Sequence, residues 1–260
     1  MAQEKYVAYV GTYTHENSIG IHVYDIDMEK GKLTERSVAP ISNPSNIAVA
    51  HSGKYLYSIE DEGVASFSID ENGDLTKINQ AWIGGMRACY VEIDSNDRYL
   101  FLAGFHDGKV TMMRLNEDGS IAGIADGVFH QGVGKSSVEK RMDPRVSCTK
   151  LTPDEKYLCA VDWGLNQIKI YEVDYEEGKL HLYDILRFPF NSAPRRIRFS
   201  KDGKFAYVLE ETTNMVDIYT YDLREGKPVF EKIKTTSVLE KEDSLASGSA
   251  LEFAPDGKYL

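Results

Sequence analysis

Short segments of alternating apolar and polar residues follow one another along almost the whole chain, separated by turns rich in Gly, Asn and Asp. Residues 196–233 have the clearest pattern: RIRFS, FAYVLEE, MVDIYTYDL and PVFEKI are separated by KDG, TTN and REGK. Alternation with β-branched and aromatic enrichment predicts strands, and turns at such short intervals predict antiparallel hairpins. The sequence therefore predicts an all-β chain built from groups of four strands, without amphipathic helices.

One short phrase, a turn followed by a basic residue and an aromatic one, returns along the chain. Its basic residues are Lys54, Arg98, Lys156, Lys204 and Lys258, and Lys5 fits the same register, which gives a mean spacing of about 51 residues. Four short strands in each repeat of that length are typical of a β-propeller blade. A helical solenoid lacks the strands, and a β-sandwich would not repeat the phrase.

The two ends of the chain fall inside this repeat. KYVAYVGTYT begins at the second strand of a unit, and FAPDGKYL ends within the second strand of a sixth unit. Closure of a propeller removes open sheet edges, and it needs whole blades. We therefore expect five blades plus part of a sixth, in an unclosed ring that forms one domain over residues 1–260.

Composition narrows the class of protein. Among 260 residues, 42% are hydrophobic and 11% are aromatic, which excludes a disordered chain. The sequence has no apolar run of about 18 residues and no signal-peptide pattern at its start, so we expect a cytoplasmic globular protein. A net charge of −11 argues against nucleic-acid and membrane partners.

The sequence has no motif that predicts a metal or cofactor site. The three cysteines form no CxxC pair and the six histidines have no HxH or HxxxH spacing, so no metal and no cofactor are expected. Asp70, Asn72 and Asp74 are better explained by a hairpin turn than by a calcium loop. Cys148 is better explained as a core thiol than as a nucleophile, and Gly134-Lys135-Ser136 as a loop than as a P-loop.

The arginines are unevenly distributed. Five of eleven lie in two short stretches: Arg141, Arg145, Arg195, Arg196 and Arg198. In an acidic protein such a group predicts a local anion site, because guanidinium groups bind phosphate and carboxylate oxygens in pairs. The alternative is a salt-bridged rim with acids such as Asp143 and Glu139.

Several longer segments carry a family resemblance. YVGTYT at 9–14 with GIHVYDID at 20–27, LTPDEKYLCAVDWGLNQIKIYEVD at 151–174, and the loop His130-Gln131-Gly132-Val133-Gly134 resemble the β-propeller lactonases typified by bacterial 6-phosphogluconolactonase. Carboxymuconate-cyclising enzymes share that fold. The resemblance implies seven blades and a chain some 80 residues longer.

The resemblance also implies site residues. The family has Pro-His-x-His where this chain has Arg145 and Ser147, and Gly-Pro-Arg-His where it has Arg195 and Arg196; a later Ser-Asn-Arg motif would lie beyond residue 260. Arg195 would stabilise an oxyanion and Glu211 would act as general base or orient Arg195. The alternative is a structural ion pair.

The remaining positions would bind substrate. Arg145 and Arg196 would hold a phosphate or carboxylate. His130 could replace the lost histidines as a base, although a surface-loop histidine is the simpler interpretation.

These implications favour a hydrolase that opens a phosphorylated sugar lactone, with a small anionic substrate as its only predicted partner. Two alternatives remain at this stage: a cycloisomerase acting on a dicarboxylic-acid lactone, and a non-catalytic propeller that binds an anion or a protein. The sequence makes no prediction of oligomeric state.

Overall fold

The computed structural model describes residues 6–132, 143–241 and 245–260, and these residues form strands and turns with no helix. The nineteen strands are β1 Tyr6–Val10, β2 Gly20–Asp27, β3 Lys32–Pro40, β4 Ile47–Val49, β5 Tyr55–Glu60, β6 Gly63–Ile69, β7 Leu75–Ala81, β8 Tyr90–Ile93, β9 Tyr99–Gly104, β10 Lys109–Leu115, β11 Ile121–Phe129, β12 Val146–Leu151, β13 Tyr157–Asp162, β14 Gln167–Asp174, β15 Lys179–Arg187, β16 Pro194–Phe199, β17 Phe205–Glu210, β18 Met215–Arg224 and β19 Lys227–Ser237.

The strands form five separate sheets in which neighbours along the chain are neighbours in space. The first sheet has three strands in the order β1-β2-β3, and the other four have four strands each, β4 to β7, β8 to β11, β12 to β15 and β16 to β19. Neighbouring strands in the first, second, fourth and fifth sheets are antiparallel. The predicted all-β architecture of repeated four-stranded units is confirmed, and within the described residues the first sheet has three strands, as expected for the first repeat.

The repeated phrase forms the same turn in every unit. The residue before its basic position has a positive φ each time: Gly53 70°, Asp97 54°, Glu155 57°, Gly203 70° and Gly257 71°. Its amide closes the turn on the residue three positions earlier, as from Gly203 to the Ser200 carbonyl at 2.9 Å. A left-handed residue at this position lets two strands reverse tightly, which is why glycine or a short acidic residue recurs there.

The last unit departs from the prediction. Its turn is formed, with the Ala254 amide 2.9 Å from the Tyr259 carbonyl, yet residues 251–254 and 259–260 are not strands. The local turn sequence fixes the turn by itself, whereas a strand also needs a partner for its backbone groups. The expected strands of a sixth unit are therefore wrong for these residues.

The chain divides into two compact units. The first comprises residues 1–102 and 111–125, and the second comprises residues 103–110 and 126–260. The first two sheets lie in the first unit and the last two in the second. A single domain over residues 1–260 stays a prediction.

Each unit has its own buried apolar residues. The first buries Tyr57, Ile59, Leu100, Leu102 and Met113 in one cluster, and Ile21, Ala39, Ile41, Leu56, Ala65 and Phe67 in another. In the second unit, Leu251 packs on Leu209 and Val216. Full burial of one such side chain contributes about 1.5–3 kcal/mol. The described residues contain no helix that is long and apolar enough to cross a membrane.

Candidate functional site

Arg195 lies at an irregularity of strand β16. Opposite β17, Pro194 pairs with Glu210 and Arg196 pairs with Leu209, so Arg195 is the extra residue of a β-bulge. Bulges redirect a side chain out of the regular alternation and are frequent beside active sites. The redirected guanidinium reaches the residue that follows β17: Arg195 Nη1 lies 2.7 Å from Glu211 Oε2.

Two hydrogen bonds, one to the backbone of Glu211 and one to its carboxylate, position this residue. Its amide donates to the Ala193 carbonyl at 2.9 Å, and its Oε1 accepts a hydrogen bond from the Ser247 hydroxyl at 3.1 Å. The side chains of Arg195 and Glu211 remain 28% and 21% exposed. Arg195 Nε has no hydrogen-bond partner among the described residues. The pair is therefore positioned by its surroundings and still open to a ligand.

A second bulge of the same kind lies one sheet earlier. Val146 pairs with Asp162 and Cys148 with Val161, which leaves Ser147 as the extra residue of β12. The Ser147 hydroxyl donates to the Arg195 carbonyl at 3.0 Å, and the Arg196 guanidinium donates to the Ser147 carbonyl. These two hydrogen bonds hold the two bulges together, and Arg196 donates one of them.

Arg145 precedes β12 and is set differently from the other arginines. Its guanidinium stacks on the Phe105 ring at 5.2 Å from the centroid, and among the described residues it has no carboxylate within ion-pair distance. A stacked guanidinium keeps its hydrogen-bonding edge for other groups. For Arg145 this arrangement favours an anion site over the salt-bridged rim; Arg141 and Glu139 lie outside the described residues.

Arg198 does not belong with the others. It is buried, its Nε lies 3.0 Å from Glu252 Oε2, and its Nη1 donates to the Ile197 carbonyl at 2.9 Å. A guanidinium neutralised in this way has a structural role. The five clustered arginines of the sequence are therefore not one site.

His130 and Asp162 form a buried pair beneath Arg145. His130 Nδ1 lies 2.7 Å from Asp162 Oδ2, with both side chains 0% exposed. Asp162 Oδ1 accepts the amides of Arg145 at 2.9 Å and of Leu165 at 3.0 Å. Asp162 thereby connects His130 to the backbone of Arg145.

The surface-loop interpretation of His130 is wrong. His130 does follow β11 in a loop, but its amide donates to the Gly108 carbonyl at 2.8 Å and the whole residue is buried. Burial lowers the pKa of the imidazole, against the opposing effect of the Asp162 carboxylate. A neutral ring that donates through Nδ1 carries its lone pair on Nε2, and Nε2 has no partner among the described residues.

The sequence analysis did not identify three residues that contact the candidate site: Phe105, Asp162 and Trp163. Phe105 and Trp163 have ring centroids 5.8 Å apart. The Trp163 amide donates to the Arg145 carbonyl at 2.9 Å, just as the Glu211 amide donates to Ala193. The signal was available, because Phe105, Trp163 and Glu211 each directly follow the second strand of a four-stranded unit.

Two positions that the sequence analysis set aside, the turn at Asp70 and the thiol of Cys148, behave as expected. Asp70 Oδ1 accepts the amides of Asn72 at 2.9 Å and Asp74 at 2.8 Å, which is a hairpin turn. Cys148 is fully buried in β12. Gly134-Lys135-Ser136 lies outside the described residues, and no group of metal-ligating side chains occurs in the described part of the chain.

Comparison with known proteins identifies the family. The model of the family described as "Lactonase, 7-bladed beta-propeller" matches residues 7–260. A 6-phosphogluconolactonase of Bacillus subtilis (strain 168) is 33% identical over 263 residues, which cover 98% of this chain and 74% of that protein.

Solved structures agree. A periplasmic gluconolactonase of Pseudomonas aeruginosa has a TM-score of 0.86 and 27% identity, with 97% of this chain and 74% of that chain covered. A Bacteroides fragilis protein assigned provisionally as a 6-phosphogluconolactonase has a TM-score of 0.85 and 28% identity, with 98% and 73% covered. The chain belongs to the family of seven-bladed β-propeller lactonases.

Proposed function

We propose that this protein hydrolyses a phosphorylated sugar lactone of the 6-phosphogluconolactone class, with Arg195 and Glu211 at the reacting carbonyl. The observation that carries the proposal is the ion pair of 2.7 Å between these two residues, built on a bulge and still partly exposed. Membership of a lactonase family supports lactone chemistry at this site.

The reaction needs a nucleophilic water and a group that stabilises negative charge. The water oxygen attacks the lactone carbonyl carbon while Glu211 takes a proton from the water. The carbonyl π electrons move to the oxygen, and Arg195 stabilises that oxyanion. The ring C–O bond then breaks, the ring oxygen takes the proton from Glu211, and the product is an open-chain hydroxy acid.

Arg145 is the residue proposed to bind the phosphate. Its guanidinium is stacked on Phe105 and has no ion-pair partner among the described residues, and guanidinium groups match phosphate oxygens bidentately. Arg196 is proposed as a second contact. Its bond to the Ser147 carbonyl gives it a structural contribution as well.

His130 is proposed to act indirectly. Its imidazole is fully enclosed, and its Nδ1 is bonded to the same Asp162 that accepts the Arg145 amide. Asp162 bonds both the His130 imidazole and the Arg145 amide. The His130–Asp162 pair therefore fixes the backbone from which the Arg145 side chain extends. His130 is therefore a positioning residue rather than a direct substrate contact.

The test is a substrate comparison with the whole chain. Initial rates are measured on 6-phosphogluconolactone, on the unphosphorylated gluconolactone and on a muconate-derived lactone, with spontaneous hydrolysis subtracted from each. We expect kcat/KM for the phosphorylated lactone to exceed that for the unphosphorylated one by about 30-fold, the value of one charge-assisted contact of about 2 kcal/mol. Equal or inverted preference would overturn the phosphate assignment. Turnover of the muconate lactone alone would favour the isomerase alternative, and no turnover would favour a binding protein.

A further inference from the structure

In the first unit, three polar side chains, two on the first sheet and one in the loop before β2, form a continuous hydrogen-bonded chain. His22, on β2, has its Nε2 3.0 Å from Ser18 Oγ and its Nδ1 2.8 Å from Glu35 Oε2. The order is hydroxyl, imidazole, carboxylate. The imidazole of His22 is 17% exposed, so the arrangement is sheltered without being enclosed.

The local fold explains why these residues meet. Ser18 lies two residues before β2, while Glu35 lies on β3 directly opposite Tyr24, beside a bulge between Val23 and Tyr24. The Tyr24 hydroxyl donates to Glu35 Oε2 at 3.2 Å, and the rings of His22 and Tyr24 are stacked with centroids 6.3 Å apart. The bulge and the tyrosine therefore hold the carboxylate against the imidazole.

One arrangement of protons along these hydrogen bonds makes His22 a base for Ser18. An ionised carboxylate only accepts, so His22 donates to Glu35 through Nδ1, and a neutral ring then carries a lone pair on Nε2 that accepts the Ser18 proton. Thr12 Oγ1 lies 2.5 Å from Ser18 Oγ and 2.9 Å from the Gly20 carbonyl. The Thr12 hydroxyl donates to the Gly20 carbonyl, which holds Thr12 beside Ser18.

We propose that Ser18 is a nucleophile for acyl transfer, with His22 as its general base and Glu35 as the residue that positions His22. Ser18 Oγ attacks an ester carbonyl while its proton passes to His22 Nε2. The ester C–O bond breaks, the leaving alcohol takes that proton, and an acyl-serine forms. Water then attacks the acyl group, with His22 again accepting the proton, and releases the acid and free Ser18.

The surroundings indicate the class of ester. Ile19, the residue next to Ser18, is 60% exposed, so apolar surface is available for an acyl group. Glu35 places negative charge near the serine, on the far side of His22. A small neutral ester with an apolar acyl group therefore fits better than a phosphorylated substrate. The site shares no residue with the Arg195–Glu211 pair.

The experiment treats the folded chain with a fluorophosphonate, which modifies activated serines, and locates the adduct by mass spectrometry. We expect stoichiometric modification of Ser18. Ser200 is the internal control, because its hydroxyl bonds a carboxylate, Asp202, at 2.6 Å instead of an imidazole; it should stay unmodified. Replacing His22→Gln should slow modification by about 100-fold or more, the usual contribution of a general base.

The role of Glu35 is tested by a measurement that a loss of stability alone would not change, the rate of Ser18 modification. Glu35→Gln should slow modification of Ser18, and Glu35→Asp should recover part of the rate, with unchanged thermal unfolding in both variants. The proposal fails if Ser18 in the unaltered protein is not modified, or if modification is as fast in His22→Gln. Arg195→Ala should leave Ser18 modification unchanged, so failure of this proposal and failure of the lactonase proposal are separate results.

Discussion

The Ser147 hydroxyl donates a hydrogen bond to the Arg195 carbonyl at 3.0 Å, and each of these residues is the extra residue of a bulge in the first strand of its sheet. The contact joins equivalent β-bulges of two consecutive sheets. It fixes the backbone of Arg195 while leaving the guanidinium to pair with Glu211. The candidate site therefore depends on a bulge that recurs in consecutive sheets. The bulge residue is Ser147 in the fourth sheet and Arg195 in the fifth.

Replacing Arg145→Met tests the phosphate contact. Methionine keeps an apolar stem against Phe105 and removes the charge, so we expect KM for the phosphorylated lactone to rise about 30-fold with little change in kcat. Steady-state kinetics measures both values. Arg187→Met, at the exposed end of β15, is the matched control and should change neither. An unchanged KM in Arg145→Met would remove Arg145 from substrate binding.

Replacing Arg196→Ala separates structure from binding. The Ser147 carbonyl loses its guanidinium donor, and we expect the free energy of unfolding to fall by about 1–2 kcal/mol. If Arg196 also contacts the substrate anion, KM should rise as well. Urea unfolding and kinetics on the same preparation distinguish the two effects. A stability equal to that of the unaltered protein would contradict the structural contribution.

Asp162→Asn tests the buried pair with His130. Asp162 accepts two backbone amides and the His130 imidazole with no exposed surface. An amide has only one accepting oxygen for those donors, so we expect a loss of about 3 kcal/mol in the free energy of unfolding. Asp202→Asn is the control, because Asp202 is exposed in the turn between β16 and β17. Equal effects of the two substitutions on urea unfolding would contradict the assignment.

The lowered pKa of His130 predicts a direction of pH dependence. Because burial lowers the pKa of the native imidazole, the unfolded chain begins to take up a proton near about pH 6.5, at a higher pH than the native chain does. The stability due to His130 is therefore complete above that pH and decreases as the pH falls, with a slope of at most about 1.4 kcal/mol per pH unit. The difference in unfolding free energy between the unaltered protein and His130→Gln should shrink between pH 7.5 and pH 5.5. A difference that grows on acidification would contradict the neutral assignment.

Much of the fold could be predicted because it is local. The alternation of strand residues and the turn before each repeated basic position are read directly from the sequence, and in the structure Gly203 and Glu155 both adopt a positive φ in that turn. The strands expected after Leu251 were wrong because a strand depends on a partner as well as on its own pattern.

The site was predicted only in part, for a physical reason. Arg195 and Glu211 were found through the family resemblance, but nothing in the residue pattern reveals that Arg195 is a bulge residue. The burial of His130 depends on Gly108 and Asp162, which lie 22 and 32 residues away along the chain. Side-chain burial arises from such long-range contacts, and an isolated histidine in a loop carries no sign of them.

The role of Glu211 at the reacting carbonyl is tested most directly by the turnover of Glu211→Gln on 6-phosphogluconolactone, corrected for spontaneous ring opening. The amide keeps the size of the side chain and loses the base, so kcat should fall by about 10²–10⁴-fold. The matched control Glu176→Gln, in an exposed hairpin turn, should retain the kcat of the unaltered protein. A kcat of Glu211→Gln equal to that of the control would contradict the account.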